Sequence, residues 1–137
     1  MRPEHVAELV KYRLEQADVA LADAHFLLEG NRSAQSIINR SYYAMFYATL
    51  ALLQTVGKVP SKHAGVISLF DTEFVLKGLL AKDLSRDLHK AFEMRQGSDY
   101  RVRETATFEK ASDLHQRAAI FVQAVKKYLL DKEAVKP

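Results

Sequence analysis

Cysteine is absent from the 137 residues. That excludes disulfides, thiolate zinc sites and a thiol nucleophile. A chain of this size buries roughly two-thirds of its unfolded surface, so its core needs no covalent or metal staple. Glycine is sparse, and its five copies form no G-x-x-x-x-G-K loop to cradle a phosphate. There is no H-E-x-x-H, and the five histidines, His5, His25, His63, His89 and His115, fall one to a segment. The paired Glu-x-x-His of di-metal bundles is missing too. Neither a metal nor a cofactor is expected, and no nucleophile elbow supports a serine triad.

Long apolar runs are also missing. The longest, Ala44 to Leu53, is interrupted by Tyr47 and Thr49. It spans about ten residues, half of the roughly twenty that a membrane-crossing helix needs. Met1-Arg2-Pro3-Glu4-His5 lacks the apolar centre of a signal peptide. A cytoplasmic location without membrane contact is therefore expected. Period-two alternation is too short anywhere to predict a strand, and there is no internal repeat or low-complexity run. The net charge of +3 and pI near 9.1 permit a nucleic-acid partner without requiring one.

Helical periodicity is what remains, and it fills the chain. Val6, Leu9, Val10, Leu14, Ala17, Leu21, Ala24, Leu27 and Leu28 recur at three- and four-residue steps, predicting a helix from Pro3-Glu4 to Gly30-Asn31. Ser33 suits the cap of a second helix ending near Thr55. Tyr42, Tyr43, Phe46 and Tyr47 point nearly all round that helix, which predicts burial on most sides, by other helices or by a second subunit. After Lys58-Val59-Pro60, Ser61 is expected to cap a third helix that turns at Leu76-Lys77-Gly78. A fourth runs from about Lys82 or Ser85 to Gln96, with Gly97-Ser98 as its stop, and Thr105 is expected to cap the last. The fold class is all-α: one domain over residues 1–137, an up-and-down helical bundle of about five helices.

The polar break from Phe92 to Arg103 concentrates the candidate chemistry. On one reading Arg95 caps helix carbonyls, Asp99 pairs with it and Tyr100 packs at the surface. On the other, Arg95, Arg101 and Arg103 grip a phosphodiester, Tyr100 orients or donates a proton, and Asp99 steers an arginine or accepts a proton. Arg40 and Tyr43, three apart on the second helix, belong with this group, because an arginine among aromatics needs a polar partner or an exit to water. Asp99 is a candidate partner. His63, close to a helix start, should have its charged form disfavoured.

Asn39-Arg40-Ser41-Tyr42-Tyr43-Ala44-Met45-Phe46-Tyr47-Ala48 resembles the central-helix signature of the HEPN domains. Pro60-Ser61-Lys62-His63-Ala64-Gly65-Val66 resembles the next block of that family, and Phe92-Glu93-Met94-Arg95-Gln96-Gly97-Ser98-Asp99-Tyr100 the third. The similarity is closest to the small stand-alone branch with an Arg…Asp-Tyr motif. It implies a helical bundle like the substrate-domain half of kanamycin-type nucleotidyltransferases, acting as a homodimer. It further implies a toxin-like partner of a minimal nucleotidyltransferase, binding RNA or nucleotide. Active relatives are metal-independent ribonucleases using an arginine followed shortly by a histidine. Arg95 matches the arginine, but Tyr100 stands where the histidine is needed, and an unperturbed tyrosine is a poor base at neutral pH. The resemblance thus leaves two expectations. In one, Arg95, Asp99 and Tyr100 do chemistry while Arg40, Tyr43, His63, Arg101 and Arg103 bind RNA or nucleotide. In the other, the chain is a non-catalytic module that docks a nucleotidyltransferase.

Overall fold

The computed structural model describes the backbone of residues 3–100 and 106–132 and the side chains of 3–96 and 106–132. Every regular element among them is helical: α1 (Pro3–Glu29), α2 (Ala34–Val56), α3 (His63–Phe70), a π-helical stretch (Asp71–Val75) continuing α3, α4 (Lys82–Tyr100) and α5 (Phe108–Asp131).

α2 is the axis of the bundle and packs against all four other α-helices. Ser33 starts it from an extended conformation, its hydroxyl accepting from the Ser36 N–H at 3.2 Å, which satisfies a donor the helix cannot. Gly57 ends it at φ +69°, a left-handed conformation that glycine adopts without a Cβ penalty. Between them Ile37, Ile38, Tyr42, Met45, Leu52 and Leu53 are fully buried. So are alanines on both α1 (Ala17, Ala24) and α2 (Ala44, Ala48, Ala51), small enough for helices to approach closely. Tyr42 and Phe46 are already buried within the chain, so a second subunit is not needed to cover them. Only Tyr43 and Tyr47 are left half-exposed. At the other end of the bundle Phe70 lies 5.4 Å from Phe121 and 6.3 Å from Phe74, joining α3, the π-helical stretch and α5 in one aromatic cluster. Burying a side chain of that size contributes about 1.5–3 kcal/mol.

Three expected boundaries differ. Ser61 does not cap α3, which begins at His63 with Lys62 in the cap position and no side-chain cap bond. The packing of His63 against α2 fixes that start, and Pro60 lies where a Cβ on Gly65 would come within 3.1 Å. α4 does not stop at Gly97-Ser98 but continues to Tyr100. A glycine inside a helix costs only about 1 kcal/mol, and it ends one chiefly when the chain there turns left-handed. Thr107 caps α5, its hydroxyl accepting from the Lys110 N–H at 3.1 Å, while Thr105 lies outside the described residues.

Two polar ties hold the α3 side in place. Glu73 pairs with Lys58 of the linker (3.1 Å) and Lys77 (3.0 Å). Asp71 accepts from the Ser85 hydroxyl and from His89 Nε2, each at 2.6 Å, joining the π-helical stretch to α4. Ser85 gives its proton to Asp71, not to His89, so this trio is a clamp and not a nucleophile with its base.

Candidate functional site

Three helices meet at one corner of α2. α2 itself supplies Tyr42, Tyr43 and Phe46, α3 supplies His63 at its first residue, and α4 supplies Arg95. The imidazole of His63 stacks on Phe46 at 4.1 Å and meets Tyr43 edge-on at 5.8 Å. Its Nδ1 lies 2.8 Å from the Tyr42 hydroxyl. Burial pushes the Tyr42 hydroxyl pKa far above its usual value, outweighing the opposing effect of Arg95. Tyr42 therefore keeps its proton. Assigned from this network, the hydroxyl donates to Nδ1 and the neutral ring carries its own proton on Nε2. The His63 pKa is lowered, first by burial and then by the Arg95 charge. The expected direction is right, but the causes are desolvation and a neighbouring cation.

Arg95 and Arg40 close on one aromatic ring. The Cζ of Arg40 is 5.1 Å from the Tyr43 centroid and that of Arg95 is 5.3 Å away, with Arg95 also 5.6 Å from the Tyr42 centroid. Guanidinium groups are attracted to ring faces at such distances. Arg40 does find a polar partner, but it is Asn39: Nε and Nη2 donate to Oδ1 at 3.1 and 2.9 Å. Among the described residues neither arginine has a carboxylate partner, and the buried Nε of Arg95 has no hydrogen-bond acceptor. Two half-buried cations thus share a corner with no compensating carboxylate among the described residues. A phosphate or another oxyanion would supply that compensation through fork-like hydrogen bonds.

Of the expected site residues, Arg95, Arg40, Tyr43 and His63 come together. Asp99 and Tyr100 lie on the last turn of α4, with side chains outside the described residues, and Arg101 and Arg103 lie outside them altogether. The proposed Arg40–Asp99 pairing falls there as well. Sequence reasoning missed Tyr42 as the partner of His63 and Asn39 as the anchor of Arg40. Asn39 precedes Arg40 directly, so its role was within reach. The Tyr42–His63 contact joins two helices and leaves no spacing signal. Among the described residues no group of three or more His, Asp or Glu could hold a metal ion. No described helix is long and apolar enough to cross a membrane.

Comparison with known proteins agrees with this architecture. The model of the HEPN domain matches residues 10–128. A UPF0332 protein of Thermotoga maritima is 36% identical over 124 residues, covering 90% of this chain and 93% of that protein. A Methanocaldococcus jannaschii protein named "Putative toxin" is 34% identical over 124 residues, covering 90% of this chain and 91% of its own length. A second protein of that organism with the same name is 36% identical over 99 residues, covering 72% and 67%. The matched span runs from α1 into α5 and so includes all three helices that build the arginine corner, and on that ground the chain belongs to the HEPN domain family.

Proposed function

We propose that this protein is a toxin-like HEPN component that binds the phosphate of RNA or of a nucleotide at the corner formed by Arg40, Tyr43, His63 and Arg95. The observation that carries the reading is the convergence of Arg40 and Arg95 on the Tyr43 ring without a carboxylate partner among the described residues. Such a pair is costly to hold near one another and is relieved by an oxyanion. His63 adds a neutral donor. With Nδ1 engaged by Tyr42, its free proton is on Nε2, so the corner offers donors and no free imidazole base. That favours binding. Cleavage as a metal-independent ribonuclease would require another group to take the ribose 2′-hydroxyl proton, a role for which Asp99 and Tyr100 are the sequence candidates.

The proposal includes two partners. One is a minimal nucleotidyltransferase. The other is a second copy of the chain, paired through α1 and α2, where Tyr12, Val19 and Phe26 leave a seven-residue apolar repeat exposed. An alternative role as a non-catalytic docking module uses the same face and leaves the arginine corner idle.

The test is binding of a fluorescent single-stranded RNA in EDTA, with gel analysis of the same mixtures for cleavage. Wild type is expected to bind. Arg95→Ala and Arg40→Ala should each weaken binding about tenfold or more, with the helical circular dichroism intact, and should reduce its salt dependence. If wild type and both variants are equally inert on RNA yet hold the nucleotidyltransferase, the docking role replaces this one.

A further inference from the structure

Beside the arginine corner is a cavity of about 410 Å³ between the end of α1, the first turns of α2 and α4. We infer that it is a nucleoside subsite, shaped to take the base of the nucleotide whose phosphate rests on Arg40 and Arg95. The inference rests on the phosphate reading above and adds what lies attached to that phosphate. A bare phosphate fills only a small part of such a space, whose volume lies in the range of small-molecule sites.

The lining specifies the chemistry. Leu27 of α1 supplies an apolar wall. Ser33, Ser36 and Asn39 recur at every third position along α2 and line the cavity with Arg40 and Arg95. Ser33 donates its hydroxyl proton to Ser36 Oγ at 2.8 Å and accepts the Ser36 N–H, so Ser33 is engaged in the cap. Ser36 is an acceptor in that bond, which leaves its own proton uncommitted among the described residues. Asn39 is fixed in the same way. Because Arg40 donates to it twice, the atom facing Arg40 must be the oxygen, and the amide NH₂ points elsewhere as a donor. Among the described lining residues there is no carboxylate. A cationic ligand is thereby disfavoured. The cavity suits an anion carrying a flat group rich in acceptors, as the carbonyls of a nucleobase are, with one face against Leu27. The same chemistry is presented by a free nucleoside monophosphate and by one residue of an RNA strand.

Calorimetric titration with uridine 5′-monophosphate, ribose 5-phosphate and a uridine hexanucleotide tests this. The uridine nucleotide should bind at least tenfold more tightly than ribose 5-phosphate. Ser36→Leu, which removes a donor and fills space while keeping the backbone N–H that Ser33 caps, should erase that advantage and leave ribose 5-phosphate affinity unchanged. Leu27→Trp should do the same from the opposite wall, and thermal melting should show both variants folded. A hexanucleotide that binds more tightly than the monophosphate, and loses affinity in both variants, marks RNA as the source; a monophosphate that binds as well as the hexanucleotide marks a free nucleotide. Equal affinity for the uridine nucleotide and ribose 5-phosphate, or an advantage that survives both variants, overturns the subsite while the phosphate reading stands through the weakened binding of both ligands in Arg95→Ala. No binding of any phosphate ester by wild type overturns both.

Discussion

The hydroxyl of Tyr42 lies 2.8 Å from Nδ1 of His63, and the guanidinium Cζ of Arg95 lies 5.6 Å from the Tyr42 ring centroid. A buried tyrosine that cannot ionise, a histidine that resists protonation and an arginine that cannot lose its charge form one electrostatic unit. Its members come from three helices.

The coupling within this unit is measurable. Arg95 is the second cause, after burial, of the lowered His63 pKa. Arg95→Gln removes the cation and keeps much of the side-chain length, so the His63 pKa should rise toward 6.5, its ordinary value. The imidazole resonances followed by NMR over pH 4–8 report it directly. An unchanged midpoint would mean that Arg95 does not face His63 in solution.

Acid should destabilise the fold in a window set by two histidines. His63 and His115 both have lowered pKa values, each chiefly through burial, and for His115 also through His25, whose ring is 5.6 Å away. The unfolded chain then binds more protons than the folded one below about pH 6.5. Stability from this source is complete above pH 6.5 and is lost as pH falls from there through the folded values. The melting temperature should therefore fall between pH 7 and pH 5, and the double substitution His63→Gln, His115→Gln should flatten that slope. Glu73, whose pKa is lowered by Lys77 and Lys58, adds a loss of the same sign only in the carboxylate range, below the histidine window. Equal slopes in the two proteins would discard the histidine account.

How much of this was legible in the residues depends on what each signal measures. The stripe of α1 marked its helix because burial on one face imposes a 3.6-residue period. Ser33 marked the start of α2 because a cap is local chemistry. Ser61 and Gly97 misled for the complementary reason. A good cap residue or a glycine only permits a boundary, and packing elsewhere decides whether it is used. At Ser61 the contact of His63 with Tyr42 and Phe46 set the start one turn position later. Likewise Arg95 and Arg40 could each be suspected alone, but their meeting on Tyr43 depends on how α4 crosses α2, which no local pattern encodes.

The tight spacing around α2 sets a mutational asymmetry. Ala48 is fully buried on the central helix, so Ala48→Leu should destabilise by about 1–3 kcal/mol through overpacking. Phe121 is fully buried 5.4 Å from Phe70, and Phe121→Ala should cost about 3–5 kcal/mol through lost burial and a residual cavity. Urea unfolding monitored by circular dichroism compares the two. A loss under about 0.5 kcal/mol at Ala48, the size ordinary for surface positions, would show that the helices around α2 can part at little cost.

The proposed pairing of two copies makes the last prediction, and it rests on α1. Tyr12, Val19 and Phe26 are 52%, 61% and 77% exposed, at steps of seven that keep them on one side of the helix. None of them supports the core, so replacing them leaves the fold alone. If this stripe is the seam between copies, each carboxylate placed in it must be desolvated without a partner, which is unfavourable. Val19→Glu and Phe26→Glu should each weaken self-association at least tenfold, or about 1.4 kcal/mol, at unchanged helical content. Sedimentation velocity across the micromolar range reads the shift from dimer to monomer. A wild-type protein that sediments as a monomer throughout that range would remove the pairing, and a dimer indifferent to both substitutions would move the seam off α1.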